Sequence, residues 1–222
     1  MKASWQAQGM HPLYRSILFL AWMFFKVFYR LRVYGLENFT PKAAIIAPNH
    51  TSFLDPPLVA VSCPQEVQFL ARESLFNIFG LGRLIRALNT HPVSGDASDV
   101  AVFRTLCRLL NEGKKVILFP EGARQDTDTL GPIKPGISLL ASRTNAAIIP
   151  TYVHGTFKIW NRHHRLPRPW GKAACVFGSP ILWESFAHLD KREAQAAMSE
   201  ALKNKIEALR LWYLAGAVGT PP

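Results

Sequence analysis

A histidine and an aspartate lie five positions apart in "NHTSFLDPP" (49–57), and their types are suited to proton transfer. Neutral imidazole can take a proton from a hydroxyl near neutral pH, and a carboxylate on its other nitrogen fixes the tautomer and stabilises the imidazolium. His50 and Asp55 supply that pair. Five is not a helical repeat: at about 100° per residue, positions i and i+5 diverge on a helix, whereas i and i+4 share a face. A turn has to bring the two side chains together. Asp55 also has a plainer use, because Asp before Pro-Pro is a good helix N-cap with proline in the first turn, and the two roles are compatible. Ser52, between them, reads as a turn-stabilising serine.

No serine or cysteine sits in a nucleophile-elbow pattern such as GxSxG, which leaves the substrate's own hydroxyl as the candidate nucleophile. A second polar segment, "FPEGARQ" (119–125), offers Glu121, Gly122 and Arg124. An arginine fork suits a phosphate monoester, and so does close backbone approach at a glycine. The same loop also reads as a surface turn with an internal ion pair.

The elements that must position these residues alternate along the chain. "AAIIAP" (43–48), "EVQFLA" (66–71), "KKVIL" (114–118), "AAIIPTYVHG" (146–155) and "KAACVFGSPI" (172–181) read as buried strands. Helices are expected over "PPLVAVSC", "SLFNIFGLGRLIRAL", "DVAVFRTLCRLLNEG" and "PGISLLASRTN". In the third of these, Val100, Phe103, Leu106 and Leu110 form one face, Asp96 or Ser98 caps the start and Gly113 ends it. "NTHPVSGDAS" reads as a loop. The tail (190–214) is an amphipathic helix with Met198, Leu202, Ile206, Leu209 and Tyr213 in line. The expected fold class is therefore α/β: a single domain with a largely parallel or mixed sheet flanked by helices. Its parts are an N-terminal membrane-associating helical segment (1–34), the α/β domain (35–185) and the C-terminal helix and tail (186–222). Active sites in such sheets gather beyond the carboxyl ends of the strands, so the His50 and Arg124 loops are expected to build one site.

With 222 residues, 49% of them hydrophobic, the chain is long enough for one sizeable core. Twenty-six Lys and Arg against fifteen acids give a formal charge of +11, which favours anionic partners such as nucleic acid, phosphorylated metabolites or an anionic membrane. Cys63, Cys107 and Cys175 are scattered, which argues against a disulfide framework or a zinc site. Near the N-terminus, the apolar block 17–25 is bracketed by Arg15, Lys26, Arg30 and Arg32. That block is shorter than the roughly 20 residues of a bilayer span and resembles an interfacial helix, with a true span and a buried helix as alternatives. A basic, Trp-containing stretch (158–172) suits phosphate contacts and stacking, but no nucleic-acid module accompanies it, and its tryptophans equally suit a membrane interface. His163 and His164 there lack partners at metal-ligand spacing.

"NHTSFLD" matches the NHxxxxD block of the glycerolipid acyltransferases, the family of 1-acyl-glycerol-3-phosphate acyltransferases. "FPEGAR" resembles the family's FPEGTR block, with Ala123 in place of threonine. "AAIIPTYVHG" is similar to a third block centred on Pro150, and "ARESLF" with "LNTHPV" occupies the place of the remaining one. The resemblance runs in order from about Val33 to about Pro180. It implies transfer of an acyl chain from acyl-CoA or acyl carrier protein to the hydroxyl of lysophosphatidic acid, and with the cysteine usage and the greasy N-terminus the expected place is the cytoplasmic face of a membrane, without nucleic acid. His50 would be the base and Asp55 its orienting partner. Arg124 would bind the acceptor phosphate in a pocket shaped by Glu121 and Gly122. Neither a metal, a cofactor nor a covalent enzyme intermediate is implied. The thioester carbonyl needs an oxyanion donor, expected from backbone N–H groups near the His50 turn.

One departure stands out. The family's cation after "PV" is missing from "HPVSGDAS", so Arg72 or Lys134 is expected to assist Arg124. The same departure keeps open another lysophospholipid or alcohol as acceptor. A lipid-binding protein without catalysis is the remaining alternative, against which the His50–Asp55 pair counts.

Overall fold

The computed structural model describes residues 11–39, 42–93 and 99–222. Seven strands form one sheet: β1 (Arg32–Tyr34), β2 (Ala44–Pro48), β3 (Val67–Arg72), β4 (Thr90–Val93), β5 (Lys115–Ile117), β6 (Ala147–His154) and β7 (Ala174–Phe177). They lie in the order β1-β7-β6-β2-β5-β3-β4, and every neighbouring pair is parallel except β6 with β7. This is the expected mixed α/β sheet. Its central strands read as unbroken apolar runs because both faces are covered.

Alternate residues of β2 enter two different cores. Ala44 and Ile46 face a layer made by α1 (Pro12–Tyr29) and α2 (Asp55–Ser62). Ile45 and Ala47 face α4 (Asp99–Asn111), α5 (Gly136–Thr144) and α7 (Lys191–Leu214). Asp190 caps α7 by accepting the N–H groups of Arg192 and Glu193, and Met198, Leu202, Ile206 and Leu209 are buried against the sheet as their spacing predicts. Tyr213 continues the line beside Tyr34 and Tyr152.

The helix after β2 packs on one face of the sheet and the helix after β5 on the other, although β2 and β5 are adjacent. The chain thus leaves the carboxyl ends of β2 and β5 for opposite faces of the sheet, which is where such folds open a crevice. Buried Asn49 ties that end together, donating to the Val153 carbonyl (3.1 Å) and accepting from its N–H (2.7 Å).

Several expectations need correcting. "NTHPV" contains a strand, β4, whose Pro92 is tolerated because β4 is at the edge of the sheet. The opposite edge strand, β1, was not anticipated. The helix expected over 74–88 is broken into a 3-10 turn (Glu73–Asn77) and α3 (Leu81–Ala87), with Gly80 at a left-handed φ of 76° between them. Leu106, Leu109 and Leu110 form the buried face of α4, whereas Val100 is exposed. The proposed caps Asp96 and Ser98 lie outside the described residues.

α1 is half buried. Tyr14, Leu18, Phe25 and Tyr29 face the core, whereas Leu20, Phe24 and Val27 are exposed. No described helix is long and apolar enough to cross a membrane.

Candidate active site

At the end of β2 the chain turns tightly enough for the His50 ring to meet Asp55. His50 Nδ1 lies 2.9 Å from Asp55 Oδ2, and the same oxygen accepts the N–H groups of Thr51 and Ser52, each at 2.7 Å. A carboxylate only accepts, so Nδ1 carries the hydrogen and Nε2 keeps its lone pair. The His50 ring stacks on Phe119 with centroids 3.9 Å apart, which fixes its plane.

Asp55 does not cap α2. It is the first residue of that helix, Leu54 occupies the cap position, and the Asp55 carboxylate turns back onto the preceding turn. Ser52 has the expected structural role: its hydroxyl donates to the Trp160 carbonyl (2.6 Å) and accepts from the Leu54 N–H (3.0 Å).

The loop after β5 is bound to this turn at two points. Glu121 Oε1 accepts the His50 N–H (2.6 Å), and the Gln125 N–H donates to the His50 carbonyl (2.8 Å). Glu121 Oε2 accepts from the Gly131 N–H (2.8 Å), so this buried carboxylate braces both arms of its own loop as well. Burial pushes its pKa up to about 7, against the pull of those two amides. Gly122 has a φ of 71°, and a Cβ there would come within 2.8 Å of the Lys134 side chain, so the missing side chain is what lets Lys134 cross the loop.

The Arg124 guanidinium lies 3.5 Å above the Phe53 ring, and Phe53 in turn packs on Trp160. Its Nη1 is buried and has no hydrogen-bond partner among the described residues. Burial, and then the neighbouring Arg162, hold this guanidinium below its ordinary pKa. Arg72 ends β3 and its charge is felt at Arg124; its side chain makes no hydrogen bond or ion pair among the described residues. The structure thus gathers His50, Asp55, Glu121, Gly122 and Arg124 in two interlocked loops, with Lys134 across them and Arg72 at the end of a strand beside β5.

Two features escaped sequence reasoning. Every N–H in the His50 turn is already engaged: His50 by Glu121, Thr51 and Ser52 by Asp55, Phe53 by the Trp160 carbonyl and Leu54 by Ser52. That turn cannot supply the expected oxyanion donors. The other is Arg162, which reaches the Arg124 loop from the basic stretch after α6 (Thr156–Trp160). Its side chain is 38 residues from the carbonyl it binds, a separation that no local spacing reveals.

His91 and His154 are bonded to partners other than the site residues. His91 Nε2 bonds Gln68 Oε1 at 2.9 Å on the β3–β4 edge. His154 Nδ1 bonds the Tyr152 hydroxyl at 3.1 Å, and burial lowers its pKa.

The family model for Acyltransferase matches residues 30–154, more than half of the chain, and spans both loops. A 1-acyl-sn-glycerol-3-phosphate acyltransferase of Bacillus subtilis is 28% identical over 81% of this chain and 87% of its own length. A chloroplastic 1-acyl-sn-glycerol-3-phosphate acyltransferase of Arabidopsis thaliana is 31% identical over 60% of this chain, which spans only 38% of that longer protein. The crystal structure of the Thermotoga maritima lysophosphatidic acid acyltransferase PlsC superposes with a TM-score of 0.72 at 24% identity, covering 93% of this chain and 85% of that one, and so shares its fold. The two loops that converge on His50 are held within the matched region, and the chain belongs to the Acyltransferase family.

Proposed function

We propose that this protein transfers an acyl chain from a thioester, acyl-CoA or acyl carrier protein, to the free hydroxyl of 1-acyl-glycerol-3-phosphate, giving phosphatidic acid for phospholipid synthesis. The observation that carries the reading is the His50 ring, whose Nδ1 is committed to Asp55 while Nε2 is left as an acceptor. Nε2 takes the acceptor's hydroxyl proton as its oxygen attacks the thioester carbonyl. Collapse of the tetrahedral intermediate breaks the C–S bond, and the imidazolium returns the proton to the departing thiolate. Asp55 stabilises the imidazolium between these steps. Arg124 holds the acceptor phosphate, for which its buried, unpartnered Nη1 is suited. Lys134 and Arg72 add positive charge in place of the cation missing after "PV". That departure favours including other lysophospholipids in any acceptor panel.

The exposed face of α1 lies on the membrane surface in this reading, at the cytoplasmic side. Phe24, Phe28 and Trp170 form a continuous aromatic row there, and the exposed Arg168 and Lys172, two residues to either side of Trp170 in the chain, suit anionic headgroups.

Three outcomes are expected. Wild-type protein should form phosphatidic acid from labelled acyl-CoA or acyl carrier protein and lysophosphatidic acid in micelles, and His50→Ala should lower kcat by about 10²–10⁴-fold while staying folded. Product formation at the wild-type rate by that variant would remove His50 from the mechanism. In co-sedimentation with vesicles containing phosphatidylglycerol, replacing Leu20, Phe24 and Val27 by serine should release most of the protein into the supernatant; undiminished binding would dismiss α1 as the contact. The third outcome concerns Glu121. With its pKa at about 7 in the folded chain against an ordinary 4.5, the folded chain holds a proton that the unfolded chain has released between those values. The stability this contributes is complete below about 4.5 and is lost as pH rises through about 7. Urea midpoints should therefore fall across that window in the wild type and less in Glu121→Gln, whereas parallel curves would mean that Glu121 is ionised throughout.

A further inference from the structure

We propose that Arg162 is a positioning residue for acceptor recognition, holding the Arg124 loop in its working conformation from the far side. The inference rests on the reading of Arg124 as the acceptor-phosphate ligand. Arg162 Nη2 donates to the Arg124 carbonyl at 2.7 Å, and Nη1 donates to Asp126 Oδ1 at 2.8 Å. One guanidinium therefore grips the backbone at Arg124 and the side chain two residues on. Both gripped groups follow Glu121 on the segment that has to present a cation to the substrate.

Arg162 is itself anchored near the catalytic turn. The preceding Asn161 is buried, and its amide donates to the Phe157 carbonyl (3.0 Å) while its Oδ1 accepts the His163 N–H (2.9 Å). Trp160, one residue earlier, accepts from both Ser52 Oγ and the Phe53 N–H through its carbonyl, and its ring supports Phe53. The Arg124 loop is thus fixed to the His50 turn by two routes. One runs directly through Glu121 and Gln125, and the other passes through Phe53, Trp160 and Arg162.

The geometry separates positioning from binding. Both terminal nitrogens of Arg162 are used on protein acceptors, so its fork is committed. Arg124 has the reverse arrangement, with Nη1 buried and unpartnered. Two like charges this close would otherwise repel, and Asp126 offsets the charge of Arg162 so that the charge of Arg124 remains for an anion. Exposure limits the value of the Arg162–Asp126 ion pair to stability, so its use lies in register rather than in holding the fold.

The test compares Arg162→Ala, Arg162→Lys and Arg124→Ala with wild type in three readings: KM and kcat for lysophosphatidic acid, transfer to 1-acylglycerol, which lacks the phosphate, and thermal midpoint. Arg162→Ala should raise the KM for lysophosphatidic acid about tenfold while leaving transfer to 1-acylglycerol and the midpoint near wild type. Arg162→Lys, which can still reach one acceptor, should fall between. A merely structural role would instead depress both acceptors and the midpoint together, and that result, or an unchanged KM in Arg162→Ala, would overturn the proposal. Arg124→Ala separates the two layers. If it raises the KM but Arg162→Ala does not, the clamp is wrong and the phosphate ligand stands; if it leaves the KM unchanged, the phosphate reading fails and takes the clamp with it.

Discussion

The structure around the site depends on one carboxylate oxygen. Asp55 is fully buried, where an unsatisfied charge would be strongly unfavourable, and its Oδ2 collects three donors: the Thr51 and Ser52 amides and the His50 ring. Two of those donors belong to residues between His50 and Asp55. Closing the turn and orienting the imidazole are therefore the same event, and a spacing of five residues is what a non-helical turn of this kind requires. The helix cap that the Asp-Pro-Pro sequence suggested is given up so that the carboxylate can face backwards.

A second buried carboxylate extends the arrangement across the sheet. Glu121 receives the His50 N–H on one oxygen and the Gly131 N–H on the other, so the loop after β5 cannot move without disturbing the turn after β2. The adjacency of β2 and β5 makes this short link possible. In a chain with a formal charge of +11, two acids at the centre of the site serve its geometry. The proposed division of labour follows from that: acids organise the proton acceptor, and Arg124 and its neighbours receive the phosphate.

Much of this was legible because it is written in short-range patterns. Apolar runs such as "AAIIAP" and "AAIIP" mark strands covered on both faces, and the polar residues directly after them mark the loops that meet. The line from Met198 to Leu209 located the buried face of α7. What escaped was set by tertiary context. β1 and β4 are short edge strands whose pairing comes from neighbours distant in sequence, and Pro92 masked the second of them. The bonds that occupy the His50 and Phe53 amides, to Glu121 and to the Trp160 carbonyl, and the grip of Arg162 on Arg124 are long-range bonds of the same kind. Residues near a turn could be nominated from sequence, but whether their hydrogens were free could not.

The central claim is that the negative charge of Asp55, acting through the His50 ring, drives proton transfer. Because Oδ2 takes all three donors while Oδ1 has no partner among the described residues, the carbonyl of an asparagine can accept the same three bonds while the charge is removed. The most direct measurement is the single-turnover rate of acyl transfer to saturating lysophosphatidic acid by folded Asp55→Asn protein. The account predicts a fall of about 10²–10⁴-fold with acceptor affinity retained. A rate within about twofold of wild type would contradict it.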